Sequence, residues 1–309
     1  MKVAIPGARG LIGRRLVRLL LDRGHTPVAL TRNAKRLLEA PYSIEWRTWD
    51  PDNPETGNMA FQNIDAIVNL SGEPVGSGWW TKKKMKRIRD SRVFGNQRIV
   101  DVLSHVSRGP RVYIAGSAVG YYGSRGDEIL TESSEKGEGF LAEVSRDLEA
   151  QAAKASHFGL RVVLLRTGVV LSGTGGALAK MHQVFKWGLG GKIGDGRQWL
   201  PWIHESDIAE IILYCLERHE IEGPVNGTAP NPVPNSEFTQ ALGAVLGKAT
   251  PFPIPEVFLK ISLGRMAEIL TASQRVVPEK LLNSDFQFQY PDLGRGLNDC
   301  LKTHGNVIR

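Results

Sequence analysis

Short apolar runs alternate with longer amphipathic stretches through the first two thirds of the chain. Lys2–Pro6 (KVAIP) is apolar enough for a buried strand. After it, apolar residues fall at 11, 12, 16, 17, 19, 20 and 21, with Arg14, Arg15 and Arg18 between them. That spacing predicts an amphipathic helix, with Gly24 as its C-terminal stop. Further strands are expected at 27–31, 44–49, 66–70, 111–117 and 161–168, and long helices at roughly 80–106 and 139–157. Strands that alternate with helices imply parallel crossovers. Strands that are apolar almost throughout imply helices on both faces. The expected fold class is therefore α/β: a Rossmann-like doubly wound parallel sheet with a smaller C-terminal substrate lobe.

The rhythm changes after Gly168. Residues 172–201 are rich in glycine (SGTGGA, then GLGGKIGDGRQWLPW), and prolines become frequent beyond Pro230. A helix at 206–218 and a strand at 224–229 are expected to return to the sheet. This predicts a nucleotide-binding domain over 1–170, rejoined by 206–229, and a smaller lobe from 171–205 and 230–309.

The turn between the first strand and the first helix reads PGARGLIG, with glycines at 7, 10 and 13. Each has a physical use in holding a dinucleotide. Gly7 takes the turn at positive φ, Gly10 lets a pyrophosphate approach backbone amides, and Gly13 lets the helix pack close to the strand. The helix start at Leu11 and Ile12 offers unpaired N–H groups and the positive end of its dipole to the phosphates. A coenzyme without a 2′-phosphate calls for a carboxylate after the second strand. Residues 27–36 contain no Asp or Glu, and instead Thr31 is followed by Arg32, with Lys35 and Arg36 beyond. Guanidinium groups pair with phosphate, so NADP is the expected cofactor, with Arg32 and Arg9 as its clamp.

The G-x-x-G-x-x-G spacing resembles the extended short-chain dehydrogenase/reductase superfamily. The stretches VNLSGEP, SAVGYYG, LRTGVVLSGTGGAL, GLGGKIGDGRQWLPWIHESD and VNGTAPNPVPNSEF are similar to its atypical, sugar-nucleotide epimerase-like branch, the epimerase family proteins. The resemblance covers nearly the whole chain. It implies that Leu70 and Ser71 pass along the adenosine or adjacent ribose side of the cofactor, that Arg92 lies near the cofactor, and that Val170 lies by the nicotinamide. A homodimer is a further implication.

Enzymes of this superfamily use a serine, a tyrosine and a lysine four residues after the tyrosine. Ser117 stands where the pattern puts the serine. The helix that should carry Tyr-x-x-x-Lys reads GFLAEVSRDLEAQAAK, with Phe140 or Leu141 at the tyrosine position and Val144 or Ser145 at the lysine position. No tyrosine in the chain has a lysine four residues on. Three readings stay open: Tyr121 or Tyr122 supplies the proton from a loop near Ser117, water or a substrate group handles it, or the chain binds NADP(H) without turnover. The expectation is an NADP(H)-binding oxidoreductase or epimerase, catalysed through Ser117 and Tyr121, acting on a small polar or nucleotide-linked substrate. Its rival is a non-catalytic NADP(H)-responsive binding protein.

Composition narrows the remaining choices. At 309 residues and 41% hydrophobic, the chain can bury one large or two modest cores. There is no eighteen-residue apolar run and no recognisable leader, so neither a membrane span nor export is expected. Two distant cysteines, Cys215 and Cys300, suggest no disulfide framework or metal site and fit a reducing cytoplasm. The net charge is +7, part of it in TKKKMKRIRDSR at 81–92. That run reads as a solvated helix face, since no nucleic-acid-binding motif accompanies it. Trp79, Trp80, Trp199 and Trp202 fall in segments suited to a cleft wall or to core packing. His204 is a general-base alternative, with Ser206 or Asp207 as a helix cap. The glycines between 188 and 196 suit either a mobile loop or turns.

Overall fold

A computed structural model of the chain describes residues 1–32, 44–53, 55–106 and 108–302. Its centre is a sheet of seven strands: β1 (Lys2–Pro6), β2 (Thr26–Thr31), β3 (Glu45–Thr48), β4 (Ala66–Asn69), β5 (Val112–Ala118), β6 (Arg161–Thr167) and β7 (Gly223–Gly227). They lie in the order β7-β6-β5-β4-β1-β2-β3, every neighbouring pair parallel. The strand order reverses direction beside β1. The crevice at the C-terminal ends of β1 and β4 is thus where this architecture binds ligands.

Strand alternation sorts the core into two layers. On one face Val3 and Ile5 pack with Leu16 and Leu20 of α1 (Leu11–Asp22), while Ala4 of the same strand packs with Val28 and Ile67 on the other. The other face is covered by α2 (Lys82–Leu103) and α3 (Phe140–Ala153). The helix α4 (Glu205–Glu217) joins α1 on the first face, and its Ile208, Ile211 and Ile212 are fully buried. Gly24 takes φ +74 just past the Arg23 cap, and its N–H bonds the Leu21 carbonyl. That is the expected stop of α1.

Strand ends differ from the sequence reading by one or two residues and helix ends by up to four. Leu70 lies just beyond β4, although its N–H still bonds the Pro6 carbonyl at 2.9 Å. The last strand closes at Gly227 rather than at residue 229. A short helix, Glu55–Phe61, has no counterpart in the predicted pattern. Short ladders knit the later segments together: Val169–Leu171 pairs with Trp202–His204, Trp199–Leu200 with Val233–Pro234, and Ile129–Leu130 with Arg275–Val276.

One open reading closes here and one expectation fails. Trp202 takes the core alternative: it is fully buried and its indole N–H bonds the Asn231 carbonyl at 2.9 Å. Neither Ser206 nor Asp207 caps α4. The His204 ring does, its Nδ1 accepting the Ser206 N–H at 3.1 Å. Asp207 instead accepts the N–H groups of Gln289 and Tyr290 at 2.8 and 3.0 Å, pinning the C-terminal segment to α4. Both cysteines are buried and free. Among the described residues no helix is long and apolar enough to cross a membrane, and no cluster of three metal-ligating side chains occurs.

Candidate functional site

The glycine turn is shaped by backbone meeting backbone. A Cβ on Gly7 (φ +89) would stand 2.7 Å from the Leu70 carbonyl carbon and 2.8 Å from the Ser71 nitrogen. A Cβ on Gly13 would collide with the Gly7 carbonyl and lie 2.8 Å from the Ala8 Cα. Gly10 is the N-cap of α1 and makes no side-chain cap bond. The first N–H groups of α1, at Leu11 and Ile12, have no intrahelical partner by construction. Both residues are half-buried at the mouth of the crevice. The turn thus excludes a side chain at positions 7 and 13 and leads straight into the unpaired N–H groups of α1.

The residues around it come from several elements. Arg9 lies against β3, its guanidinium 5.1 Å from the Trp46 ring centroid. Thr31 ends β2, and its carbonyl accepts the Trp49 N–H at 2.9 Å. Arg32 is exposed beyond it, whereas Lys35 and Arg36 fall outside the described residues. The Lys84 hydrogen bond (2.8 Å) first, and the charges of Arg87 and Arg32 after it, hold the Glu73 carboxyl below its ordinary range. Arg32 therefore shares one rim with the segment after β4. Arg92 of α2 donates to the Glu73 carbonyl at 2.9 Å, and its guanidinium carbon lies 3.1 Å from where a Gly72 Cβ would be. Burial lowers the Arg92 pKa. Ser71 is exposed and donates to the buried Asn69 side chain at 2.6 Å. Val170 and the start of α1 meet across the next glycine loop. A Cβ on Gly176 would lie 3.1 Å from the Leu11 side chain and 3.7 Å from the Val170 carbonyl oxygen.

Ser117 and Tyr121 meet one buried ion pair. Ser117 of β5 stands opposite Arg166 of β6 in the parallel register. Its hydroxyl donates to Glu149 of α3 at 2.7 Å. Arg166 grips that same carboxylate with Nε at 3.0 Å and Nη2 at 2.9 Å. Its Nη1 donates to the Tyr122 hydroxyl at 2.9 Å, and its face lies 3.5 Å from the Tyr121 ring centroid. Tyr122 is wholly buried and bonded to Asn226 at 2.7 Å, and burial pushes its phenol up to about 12. It is a structural residue. Tyr121 is half-buried and edge-on to it. Arg125, four residues after Tyr121, turns away to Glu128 at 2.7 and 2.8 Å. On α3, Phe140 or Leu141 and Val144 or Ser145 fall at the expected tyrosine and lysine positions, and Leu141 packs beside Gly120.

Glu149 and Arg166 were not singled out by sequence reading. The signal was available: an arginine inside the apolar run RVVLLRT needs a buried counter-charge. Other candidates resolve differently. His204 is 1% exposed, stacks on Tyr290 at 3.8 Å and sits 3.3 Å from Asp299. Burial lowers its pKa. Its cap role and its place between α4 and the C-terminal segment remove it from the crevice, so the general-base alternative fails. Trp80 is buried edge-on to Phe140, Trp79 is exposed beside Gly264, and the Trp199 indole donates to Asp127 at 2.7 Å. The glycines at 188–196 form packed turns: a Cβ on Gly191 would collide with the Phe252 carbonyl, and Ile193 bridges to Ile254.

Comparison with known proteins follows the same lines. Residues 3–226 match the family described as "NAD dependent epimerase/dehydratase family", and residues 254–300 match a "Domain of unknown function (DUF1731)". The chain is 36% identical over 296 residues to the epimerase family protein Mb2239 of Mycobacterium bovis, covering 96% of each. It is similar to the crystal structure of human epimerase family protein SDR39U1 (isoform 2) with NADPH, at a TM-score of 0.87 and 31% identity, covering 98% of this chain and 99% of that one. A UDP-glucose 4-epimerase from Thermotoga maritima, solved with UDP-glucose, shares the fold at a TM-score of 0.81 and 15% identity, each chain fully covered.

Proposed function

This chain belongs to the NAD dependent epimerase/dehydratase family, and on that premise we propose that it binds NADP(H) across the C-terminal edge of the sheet and acts as an oxidoreductase or epimerase on a small polar or nucleotide-linked substrate. The observation that carries the reading is the tight turn at Gly7 and Gly13, where any Cβ would strike neighbouring backbone, leading directly into the N-terminus of α1. Gly7, Gly10, Leu11, Ile12 and Gly13 would hold the diphosphate through backbone N–H groups and the dipole of α1. Arg32 and Arg9 would face the 2′-phosphate. Leu70, Ser71 and Arg92 would line the adenosine-side ribose, and Val170 the nicotinamide. NADPH in the human relative's structure supports the choice of the phosphorylated coenzyme. Bound, it supplies a hydride donor or acceptor. Ser117 and Tyr121 are the chain's own groups for holding the substrate oxygen beside it.

A specific observation favours a second reading, that of a non-catalytic NADP(H)-responsive protein. The helix that carries Tyr-x-x-x-Lys in active relatives of this type holds Phe140 or Leu141 and Val144 or Ser145 at those positions here. Calorimetric titration of NADPH and NADH into the protein and into Arg32→Glu tests the coenzyme assignment. We expect NADPH to bind and NADH to bind more weakly, and Arg32→Glu to weaken NADPH by roughly tenfold or more with NADH unchanged. No heat with either coenzyme would end the proposal. A turnover screen with Ser117→Ala and Tyr121→Phe then separates the readings: tight NADPH binding without turnover leaves the binding protein.

A further inference from the structure

Ser117 has only one hydroxyl hydrogen, and its bond to the ion pair beneath it already engages that hydrogen. Glu149 and Arg166 are 7% and 3% exposed in their side chains. A carboxylate accepts hydrogen bonds and gives none. The 2.7 Å contact from Ser117 Oγ to Glu149 Oε1 therefore uses the serine hydrogen. Arg166 leaves the carboxylate no freedom to turn away, because it bonds both oxygens at 3.0 and 2.9 Å. Arg166 is itself fixed at its far end by the Tyr122 hydroxyl, which is fixed in turn by Asn226. What Ser117 has left for the crevice is its lone pairs. The guanidinium face holds the Tyr121 ring at 3.5 Å, and the Tyr121 hydroxyl has no partner among the described side chains.

We propose that Glu149, locked by Arg166, fixes Ser117 as a hydrogen-bond acceptor, so that the site takes a ligand hydroxyl in preference to the matching ketone. The ligand class is a secondary alcohol or a hydroxyl-bearing sugar carbon. This rests on the crevice being the substrate site, as proposed above. A serine free to rotate serves either oxygen: it donates to a carbonyl and accepts from an alcohol. Here a ketone oxygen would face lone pairs and lose its partner at Ser117. An alcohol would give its proton to Ser117 and keep its own lone pairs for Tyr121. Glu149 and Arg166 touch no ligand in this account; they are positioning residues that set the polarity of one that does.

The test uses cyclohexanol and cyclohexanone as probes, titrated by saturation-transfer NMR into the apo protein and the NADP-loaded protein. The expected result is a preference for the alcohol of roughly tenfold. Ser117→Ala abolishes that preference and leaves the melting temperature nearly unchanged, since Glu149 keeps its arginine. Glu149→Leu combined with Arg166→Met removes the carboxylate, frees the Ser117 hydrogen and moves the preference toward the ketone. If that double variant fails to fold, a preference that survives Ser117→Ala still refutes the assignment. Equal or tighter binding of the ketone by the wild type, binding of neither probe, or a preference that survives Ser117→Ala or the double variant would overturn the proposal. NADPH titration on the same samples separates the two failures. Absence of coenzyme binding sinks the cofactor reading, while an alcohol preference lost in Ser117→Ala and moved toward the ketone when Glu149 is replaced upholds this assignment on its own.

Discussion

Gly7 and Gly24 share a left-handed backbone, at φ +89 and +74, but their surroundings differ. A Cβ at Gly24 meets nothing within 4 Å. Gly24→Ala therefore feels only the conformational penalty of about 1–2 kcal/mol. A Cβ at Gly7 would lie 2.7 Å from both the carbon and the oxygen of the Leu70 carbonyl and 2.8 Å from the Ser71 nitrogen. These are backbone atoms, and no rotamer change moves them aside. Either the ends of β1 and β4 separate or the Leu70 N–H to Pro6 carbonyl bond breaks. Overpacking of this kind adds about 1–3 kcal/mol, so Gly7→Ala should cost roughly 2–5 kcal/mol in total. At about 2–4 °C per kcal/mol, Gly24→Ala lowers the melting temperature by a few degrees and Gly7→Ala by roughly 4–20 °C. The sharper contrast is in coenzyme binding, followed by NADPH fluorescence. Gly24→Ala binds as the wild type does, while Gly7→Ala weakens NADPH by about tenfold or more, because the displaced strand ends form the cradle. A Gly7→Ala protein that melts with Gly24→Ala and binds NADPH within about twofold of wild type would refute the reasoning.

Three further outcomes are expected. Glu149→Ala strands a buried guanidinium and should cost about 3–5 kcal/mol in denaturant melts, whereas Glu149→Leu combined with Arg166→Met recovers most of that loss. Burial pushes both the Tyr122 phenol and the Cys215 thiol up to about 12. These groups keep their protons in the folded chain where the unfolded chain has lost them. Their contribution is full below the unfolded values and falls as pH climbs toward 12, by up to about 1.4 kcal/mol per pH unit for each group. Melts between pH 8 and 11 should show this slope, and Tyr122→Phe should flatten its upper part. Burial lowers the His204 pKa against the opposing pull of Asp299. Its contribution is therefore present above the unfolded value near 6.5 and is lost as pH falls below it. His204→Asn, which keeps a capping oxygen, should lose that acid sensitivity; an unchanged profile would show that His204 carries no proton-linked stability.

The strands were legible because a strand covered on both faces has to be apolar along its length, and VAI, AIV and VVLL have no other good use. The glycine turn was legible for a different reason: only a side-chain-free backbone lets Gly7 rest on Leu70 and Gly13 on Ala8. Element ends were less so, since Leu70 keeps a ladder bond after the strand has formally closed. The tryptophans stayed ambiguous because composition cannot tell a rim from a core. Trp202 reads like a cleft residue beside its glycine-rich loop, and only the ladder between Val169–Leu171 and Trp202–His204 turns it inward. The Glu149–Arg166 pair was hidden by another mechanism. Its members are 17 residues apart and on different elements, and they meet because β5 and β6 pair in parallel with Ser117 opposite Arg166. Yet each carried a local anomaly. Arg166 breaks an apolar central strand, and Glu149 falls on the same helix stripe as Leu141, Val144, Leu148 and Ala152. A buried charge of one sign demands the other, so two such anomalies in one domain predict each other. The Tyr-x-x-x-Lys pattern places a cation one helical turn after a tyrosine. Here a buried cation from the neighbouring strand, Arg166, lies 3.5 Å from the Tyr121 ring centroid, and the carboxylate that holds it also accepts the serine's hydrogen bond.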